Sequence, residues 1–352
     1  MRVILFSWML ALVFILPSGA DRIVVLEEDF QTEDGWEEDP QGDYTILPDG
    51  RTWVVLDEAV LPTPAFIIEI IDGGTGMSSV QYGRDMPVVP DIFEDASAMS
   101  GLAWLVDLTV WASKAPYTAR VIVCNNENPW NGTSETVIVP TGHQEKAIAY
   151  RVLLPPTDVL YTDTVLLILH LGGQGEVVLG FDDIVVTVLD AFVLFTMEQG
   201  TPRQSIQTAT GNITFTEGVA HRGIAAAQHA ITEGGSSLAG CEVTMRCRPL
   251  TTPGKNFRIS LAASADRAPY SFQVGIRDRT TGDTRMAGDV GTIPAANQWQ
   301  EFSWVVANVA GRNLEVVIRD GGQGAANILF DDVLVEWTTE EAPTPVDDWA
   351  IH

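Results

Sequence analysis

Residues 172–188 read GGQGEVVLGFDDIVVTV, and residues 321–337 read GGQGAANILFDDVLVEW. The Gly-Gly-Gln-Gly and Phe-Asp-Asp blocks return at a spacing of 149 residues, and a fixed spacing of that kind marks a duplicated structural unit. The match extends backwards. Tyr150-Arg-Val-Leu-Leu aligns with Phe302-Ser-Trp-Val-Val, and Gly101-Leu-Ala-Trp-Leu-Val-Asp-Leu aligns with Gly240-Cys-Glu-Val-Thr-Met-Arg-Cys. Two copies of one domain follow, 21–190 and 191–337, and 338–352 form a Thr/Pro/acidic tail. The first copy is longer, with insertions expected around 125–143 and in its N-terminal third.

In both copies apolar and polar residues alternate between Gly, Pro, Asn and Asp punctuation, the pattern of half-buried strands. Strands are expected at 102–110, 119–123, 165–170 and 183–188, then at 241–247, 257–262, 270–277, 302–306, 314–319 and 332–337. No stretch holds a helical period over three turns. The expected fold class is all-β: two tandem antiparallel β-sandwiches of the jelly-roll type.

Charge narrows the partners. The chain of 352 residues has a formal net charge of −27, and the first copy holds most of it, with 29 acidic against 7 basic side chains. The second copy is nearly balanced, with 14 against 12. A nucleic-acid binder needs a basic footprint to displace counterions from phosphates, and an anionic membrane surface asks for the same. Neither partner fits. Residues 1–20 carry Arg2, an apolar run from Val3 to Leu16 and Pro17-Ser18-Gly19-Ala20, which is the form of a secretory signal peptide, so the mature protein is expected to be secreted. Cys124, Cys241 and Cys247 are an odd number. Cys241 and Cys247 lie six apart on one strand, about 20 Å, beyond disulfide reach. Asn131-Gly-Thr and Asn212-Ile-Thr have the spacing of N-glycosylation acceptors.

The second copy runs Met197-Glu198-Gln199-Gly200, Ala220-His221-Arg222-Gly223, a strand after Ala239-Gly240, Gln298-Trp299-Gln300, and Phe330-Asp331-Asp332-Val333. This order resembles the galactose-binding-like jelly rolls of the cellulose- and xylan-binding carbohydrate-binding modules. The likeness covers 191–337, and more weakly 21–190 through Asp29-Phe30, Gly35-Trp36 and Phe181-Asp182-Asp183. It implies a structural Ca²⁺ held by Glu198, the backbone around Gly223 and Asp331. In the first copy it implies Asp182, with Asp29 or Gln31 in place of the Glu. Hard oxygen ligands of this kind suit calcium. The other reading of Asp331 and Asp332 is that they accept turn hydrogen bonds.

The resemblance also implies sugar binding on an exposed sheet face or at loop tips. Strand parity points Glu242, Thr244, Arg246, Arg258, Gln273, Arg277, Glu301, Ser303 and Arg319 outward in the second copy, an arginine-rich face without an aromatic platform. In the first copy the stacking candidates are Trp111, Tyr117 and Trp130, while Trp104, Trp299 and Trp304 read as core. The carbohydrate-binding set is therefore Trp111, Tyr117, Trp130, Arg246, Gln273, Arg277 and Arg319. Leu105, Ile122, Leu153, Leu166 and Ile168 also point outward, and such a face needs a cover: an insertion, the sister domain or another subunit.

Catalysis finds no support in motifs. None of the five histidines has a metal-ligand spacing, and no nucleophile elbow or phosphate loop is present. The expectation is a secreted, non-catalytic, calcium-stabilised polysaccharide-binding protein, with self-assembly or a partner enzyme as further possibilities. The alternative is an extracellular fibre, sheath or matrix subunit, in which an acidic first domain meets an arginine-bearing second domain head to tail.

Overall fold

The computed structural model describes residues 22–28, 36–38, 50–55, 65–71, 73–86, 103–125, 128–144, 146–154, 165–189, 191–197, 206–208, 211–247, 256–307, 309, 311 and 313–342. The expected signal peptide, Asp29, Gln31, Glu198 and most of the tail lie outside them. The first sandwich comprises β1 (Arg22–Glu28), β2 (Trp36–Glu38), β3 (Gly50–Val55), β4 (Ala65–Ile70), β5 (Gln81–Met86), β6 (Ala103–Ala112), β7 (Tyr117–Asn125), β8 (Asn128–Val139), β9 (Ile148–Leu154), β10 (Val165–His170) and β11 (Val177–Leu189). The second comprises β12 (Ala191–Phe195), β13 (Ile206–Thr208), β14 (Asn212–Glu217), β15 (Ala225–Ile231), β16 (Glu242–Arg246), β17 (Asn256–Ala265), β18 (Tyr270–Asp278), β19 (Thr284–Met286), β20 (Gly291–Ile293), β21 (Gln300–Val306), β22 (Leu314–Arg319) and β23 (Ala326–Thr338).

Each sandwich has two antiparallel sheets. One, here the seam sheet, runs β3-β4-β11-β6-β9 with β1 on β11, and in the second domain β14-β15-β23-β17-β21 with β12 on β23. The other, the front sheet, runs β2-β5-β10-β7-β8, and in the second domain β13-β16-β22-β18-β19 with β20 on β18. Alternation does what the pattern demanded: Trp104, Val106, Leu108 and Val110 of β6 enter one core, and Val243 and Met245 of β16 enter the other. The expected insertion at 125–143 is β8, a twelve-residue edge strand on β7.

The repeated Gly-Gly-Gln-Gly block proves to be a backbone lock. A Cβ on Gly172 would sit 2.6 Å from the Gly76 oxygen and 2.7 Å from that of Gly73, and one on Gly321 would sit 2.5 Å from the Gly234 oxygen and the Cys241 nitrogen. Only glycine allows two loops to approach this closely. The glutamine then imitates a strand. Gln174 accepts the Thr118 N–H (2.9 Å) and donates to its carbonyl (2.7 Å), and Gln323 does the same to Ser271 (2.8 and 2.6 Å).

The Phe-Asp-Asp block lies inside a strand in both domains. Asp183 and Asp332 both have φ of 49°, inside strands of thirteen residues, where the pairing register shifts. They are β-bulges, with an Asp tolerating the left-handed conformation.

The two seam sheets pack outer face to outer face. Ala103, Leu105 and Leu189 of the first domain and Leu334 of the second are at most 4 % exposed and form one cluster, with Leu153 and Leu194 against it. Parity had exposed Leu105 and Leu153; their cover is the sister domain. Ion pairs rim the seam: Arg22 to Glu336 (2.7 Å) at one side, and Arg222 to Asp107 (3.6 Å) at the other. The Gly223 N–H donates to the Ala149 carbonyl (2.5 Å), and Ile224 packs on the first domain's core. The result is four β-layers, front–seam–seam–front. Ile122, Cys124, Leu166 and Ile168 lie on the front sheet instead and are also buried.

Candidate functional site: the front face of the second sandwich

Parity tells which side of a strand a residue takes, but not which sheet it joins. The outward set of the second copy divides accordingly. Arg258, Glu301 and Ser303 belong to the seam sheet, whereas Glu242, Thr244, Arg246, Gln273, Arg277 and Arg319 share the front sheet.

Cross-strand register arranges the front face in rows. Glu242 stands beside Arg319, and Arg319 beside Gln273; Thr244 stands beside Val317, and Val317 beside Gly275; Arg246 stands beside Glu315, and Glu315 beside Arg277. Neighbouring strands lie about 4.8 Å apart, and successive outward residues are spaced about 6.8 Å along a strand. The middle row is covered: a Cβ on Gly275 would meet the Met286 sulfur of β19 at 2.6 Å, and Val317 beside it is fully buried. The outer rows are cross-linked. Arg277 reaches Glu242 at 2.6 Å and Glu315 at 3.2 Å, and its Nε donates to the Thr284 hydroxyl at 3.0 Å. Arg319 reaches Glu242 at 3.2 Å, Arg279 reaches Glu315 at 3.4 Å, and Gln273 donates to the Ala287 carbonyl at 2.9 Å. Side-chain exposures of 10 to 27 % for Glu315, Glu242, Arg277 and Arg319 mean that these groups are largely withdrawn from water. Hydrogen bonds there are stronger than on an open surface. Planar acceptors and donors in fixed rows are the chemistry that hydroxyl-rich or acidic polymers require.

Four of the seven expected sugar contacts thus converge: Arg246, Gln273, Arg277 and Arg319. Glu315 joins them, and its position two and four residues before Val317 and Arg319 would have shown it. The aromatic candidates do not join. Tyr117 is 1 % exposed, and its hydroxyl donates to the Leu171 carbonyl. It is a core residue, because the alternation of β7 begins at Tyr117 and puts it on the side of Ala119 and Val121. Burial pushes its hydroxyl well above the ordinary tyrosine range. Trp111 is half-buried on the seam sheet of the first domain, donates to the Gln144 carbonyl (2.7 Å), and packs against the cluster of Ala65 and Ile67. Trp130 falls in β8, and its side chain lies outside the described residues. Trp104 and Trp304 are core as expected, but Trp299 is not: it precedes β21 and faces the His221 ring at 5.7 Å.

The expected calcium position centres on Asp331. Its carboxyl is fully buried; Oδ2 accepts the N–H groups of His221 (2.8 Å) and Arg222 (3.1 Å), and Oδ1 accepts that of Asp332 (2.8 Å). Burial, then the neighbouring Asp332 carboxyl, pushes it up to about 9. A carboxyl so placed is either protonated or accompanied by a cation. Oδ1 retains acceptor capacity, so the donor chemistry fits a hard ion. Asp182 repeats part of the arrangement, buried with Oδ1 accepting the Asp183 N–H (2.8 Å). Among the described residues no group of three or more His, Cys, Asp or Glu is gathered for a metal.

A second polar cluster exists in the core of this sandwich. His229 and Asp320 are both 0 % exposed and joined Nδ1 to Oδ2 at 2.7 Å. The Asp320 carbonyl accepts the Tyr270 hydroxyl, and its Oδ1 makes no hydrogen bond with the described residues.

No family model matches the chain, and no curated protein matches it. Solved structures do. The tandem CBM22-1–CBM22-2 domain of Xyn10C from Paenibacillus barcinonensis is similar at 12 % identity, a TM-score of 0.34, and coverage of 90 % of this chain and 98 % of that one. A CBM22 xylan-binding domain matches 43 % of this chain and 97 % of its own length, at 14 % identity and a TM-score of 0.35. TmCBM61, solved with β-1,4-galactotriose, matches 42 % and 98 % at 10 % identity and a TM-score of 0.31. These are modules of the class that the motif order resembles.

Proposed function

We propose that the protein is a secreted, non-catalytic polysaccharide-binding protein whose binding face is the front sheet of the second sandwich. One observation carries this reading. The face presents rows of guanidinium, carboxylate, amide and hydroxyl groups held by one another and turned away from the sister domain. Such groups form bidentate, directional hydrogen bonds with a sugar polymer and need no further chemistry. The signal-like N-terminus supports an extracellular setting. Calcium at Asp331 belongs to the same reading: bound there, the ion would neutralise the buried carboxyl and tie β23 to the turn before β15.

Affinity electrophoresis of the whole protein through gels containing single soluble polysaccharides tests the main claim. Retardation by at least one polymer, abolished in Arg277→Ala/Arg319→Ala, is expected. Unchanged mobility in every polymer would remove it. For calcium, a chelator should lower the Tm of the wild type and leave that of Asp331→Ala unchanged; at a hundred times the dissociation constant the ion contributes roughly 2.7 kcal/mol.

A further inference from the structure

We propose that the polymer taken by this face is acidic: a uronate-bearing chain whose carboxylates enter the guanidinium rows. The inference rests on the reading that the face binds polysaccharide. Among the described residues, ion pairing places the three guanidiniums of Arg277, Arg279 and Arg319 there against the two carboxylates of Glu242 and Glu315, and register sets Arg246 beside Glu315. Both carboxylates are shared. Glu242 lies between Arg277 (2.6 Å) and Arg319 (3.2 Å), and Glu315 between Arg277 (3.2 Å) and Arg279 (3.4 Å). One negative charge divided between two guanidiniums leaves donors and positive charge to spare. This happens in a chain whose overall charge is −27, so the surplus is local and set by the strand register.

The ligand class follows from what the face has and lacks. A neutral sugar ring is held chiefly by stacking on an aromatic side chain, and none of the described aromatic residues shares these rows. A uronate carboxylate is held by paired N–H donors in a plane, which is the guanidinium fork. Glu242 and Glu315 hold the forks in position before any ligand arrives, which lowers the ordering cost of binding. Repulsion from the acidic first domain acts through water and is screened over about 8 Å at physiological ionic strength. Contacts at the face therefore decide. The first sandwich cannot offer the same: at the lattice points of Glu315, Arg277 and Arg319 it carries Leu166, Cys124 and His170.

Titration calorimetry of the full chain against polygalacturonate, alginate and glucuronoxylan, and against each polymer after reduction of its carboxyls to alcohols, tests the proposal. Binding to at least one acidic polymer is expected, at least about tenfold tighter than to its reduced form, the range of one charge-assisted hydrogen bond. Arg319→Gln and Arg246→Gln should each weaken it about tenfold. Arg285→Gln, the same loss of charge on an exposed edge residue outside the rows, should not change it. Equal binding of acidic and reduced polymers would overturn the acid claim and leave the polysaccharide reading standing. Binding of neutral polymers alone would do the same. An Arg285→Gln loss as large as that of Arg319→Gln would reduce the effect to general charge attraction and overturn the site. Silence towards every polymer, acidic or neutral, would remove both.

Discussion

The two sandwiches share an interior scaffold and differ wherever that scaffold leaves a choice. Their glycine locks, their strand-mimicking glutamines and the tyrosine hydroxyls of Tyr117 and Tyr270 recur with corresponding backbone partners. All of these act on backbone, where geometry allows one solution. The front faces diverge. Leu166 beside Cys124 in the first domain becomes Glu315 beside Arg277 in the second, an apolar patch against a charged lattice. The cores diverge at one point too: Ile68, paired with Leu179, becomes His229, paired with Ile328. Leu171, which accepts the tyrosine hydroxyl, becomes Asp320. Duplication kept what closes the loops and released what faces outward, and the second copy accepted a buried polar pair at its closed end.

The strongest way to break this comparison is to strike the shared lock. Gly321→Ala places a methyl 2.5 Å from two backbone atoms that have no rotamer to yield. The second domain should lose about 3 kcal/mol or more, the upper range of overpacking. Gly172→Ala should cost the first domain a similar amount. Urea unfolding followed separately through each domain's tryptophans reads both. A loss in one domain only would show that the lock is not equivalent in the two.

The next test concerns the polar pair. Asp320→Leu leaves His229 buried opposite an apolar side chain, and the converse variant His229→Ile strands a carboxylate that burial already pushes upward. Each should cost about 3 kcal/mol. The double variant His229→Ile/Asp320→Leu restores the pairing that the first domain uses with Ile68 and Leu171. It should recover most of that loss, since apolar replacement of a whole buried pair is often neutral or better. A double variant as unstable as the singles would mean that the pair has become part of the second domain's frame.

Much of this frame was legible in the sequence. The 149-residue spacing, the period-two alternation and the flanking glycines yield two β-sandwiches and ten of their strands, whereas β1–β5 and β12–β15, whose alternation is weak or short, are not among them. Tyr117 was also within reach, since carrying the alternation two residues back from Ala119 turns it inward. Other features were not. Which of two sheets receives an outward residue depends on pairing partners far along the chain, so Arg258 and Arg277 look alike in sequence and face opposite ways in the fold. The seam is illegible for the same reason: Leu105 and Leu334 meet across more than two hundred residues. The role of the Gly-Gly-Gln-Gly glutamine shows only when Thr118, 56 residues earlier, lies beside Gln174.

The smallest expected effect separates the two front faces by pH. His170 and Arg319 hold equivalent places, each paired in register with a residue of the neighbouring strand: Gln81 for the histidine and Glu242 for the arginine. Burial, then the Arg120 guanidinium, lowers His170 from 6.5 to about 4, and its Nε2 lies 2.8 Å from Gln81 Oε1. The unfolded chain therefore takes up a proton below about 6.5 that the folded chain refuses until about 4. Stability from this residue is complete above the upper value and falls as pH drops through the window towards the lower one. Because the ring keeps some contact with water, the loss should be on the order of 1 kcal/mol. His170→Gln, which keeps a hydrogen-bonding side chain and removes the titration, should flatten that slope in the first domain between pH 6.5 and 4. The second domain, with Arg319 at that place, should show no such step from its front sheet. An unchanged slope in His170→Gln would assign the acid sensitivity of the first domain to its carboxylates and not to the histidine that stands where the second domain has an arginine.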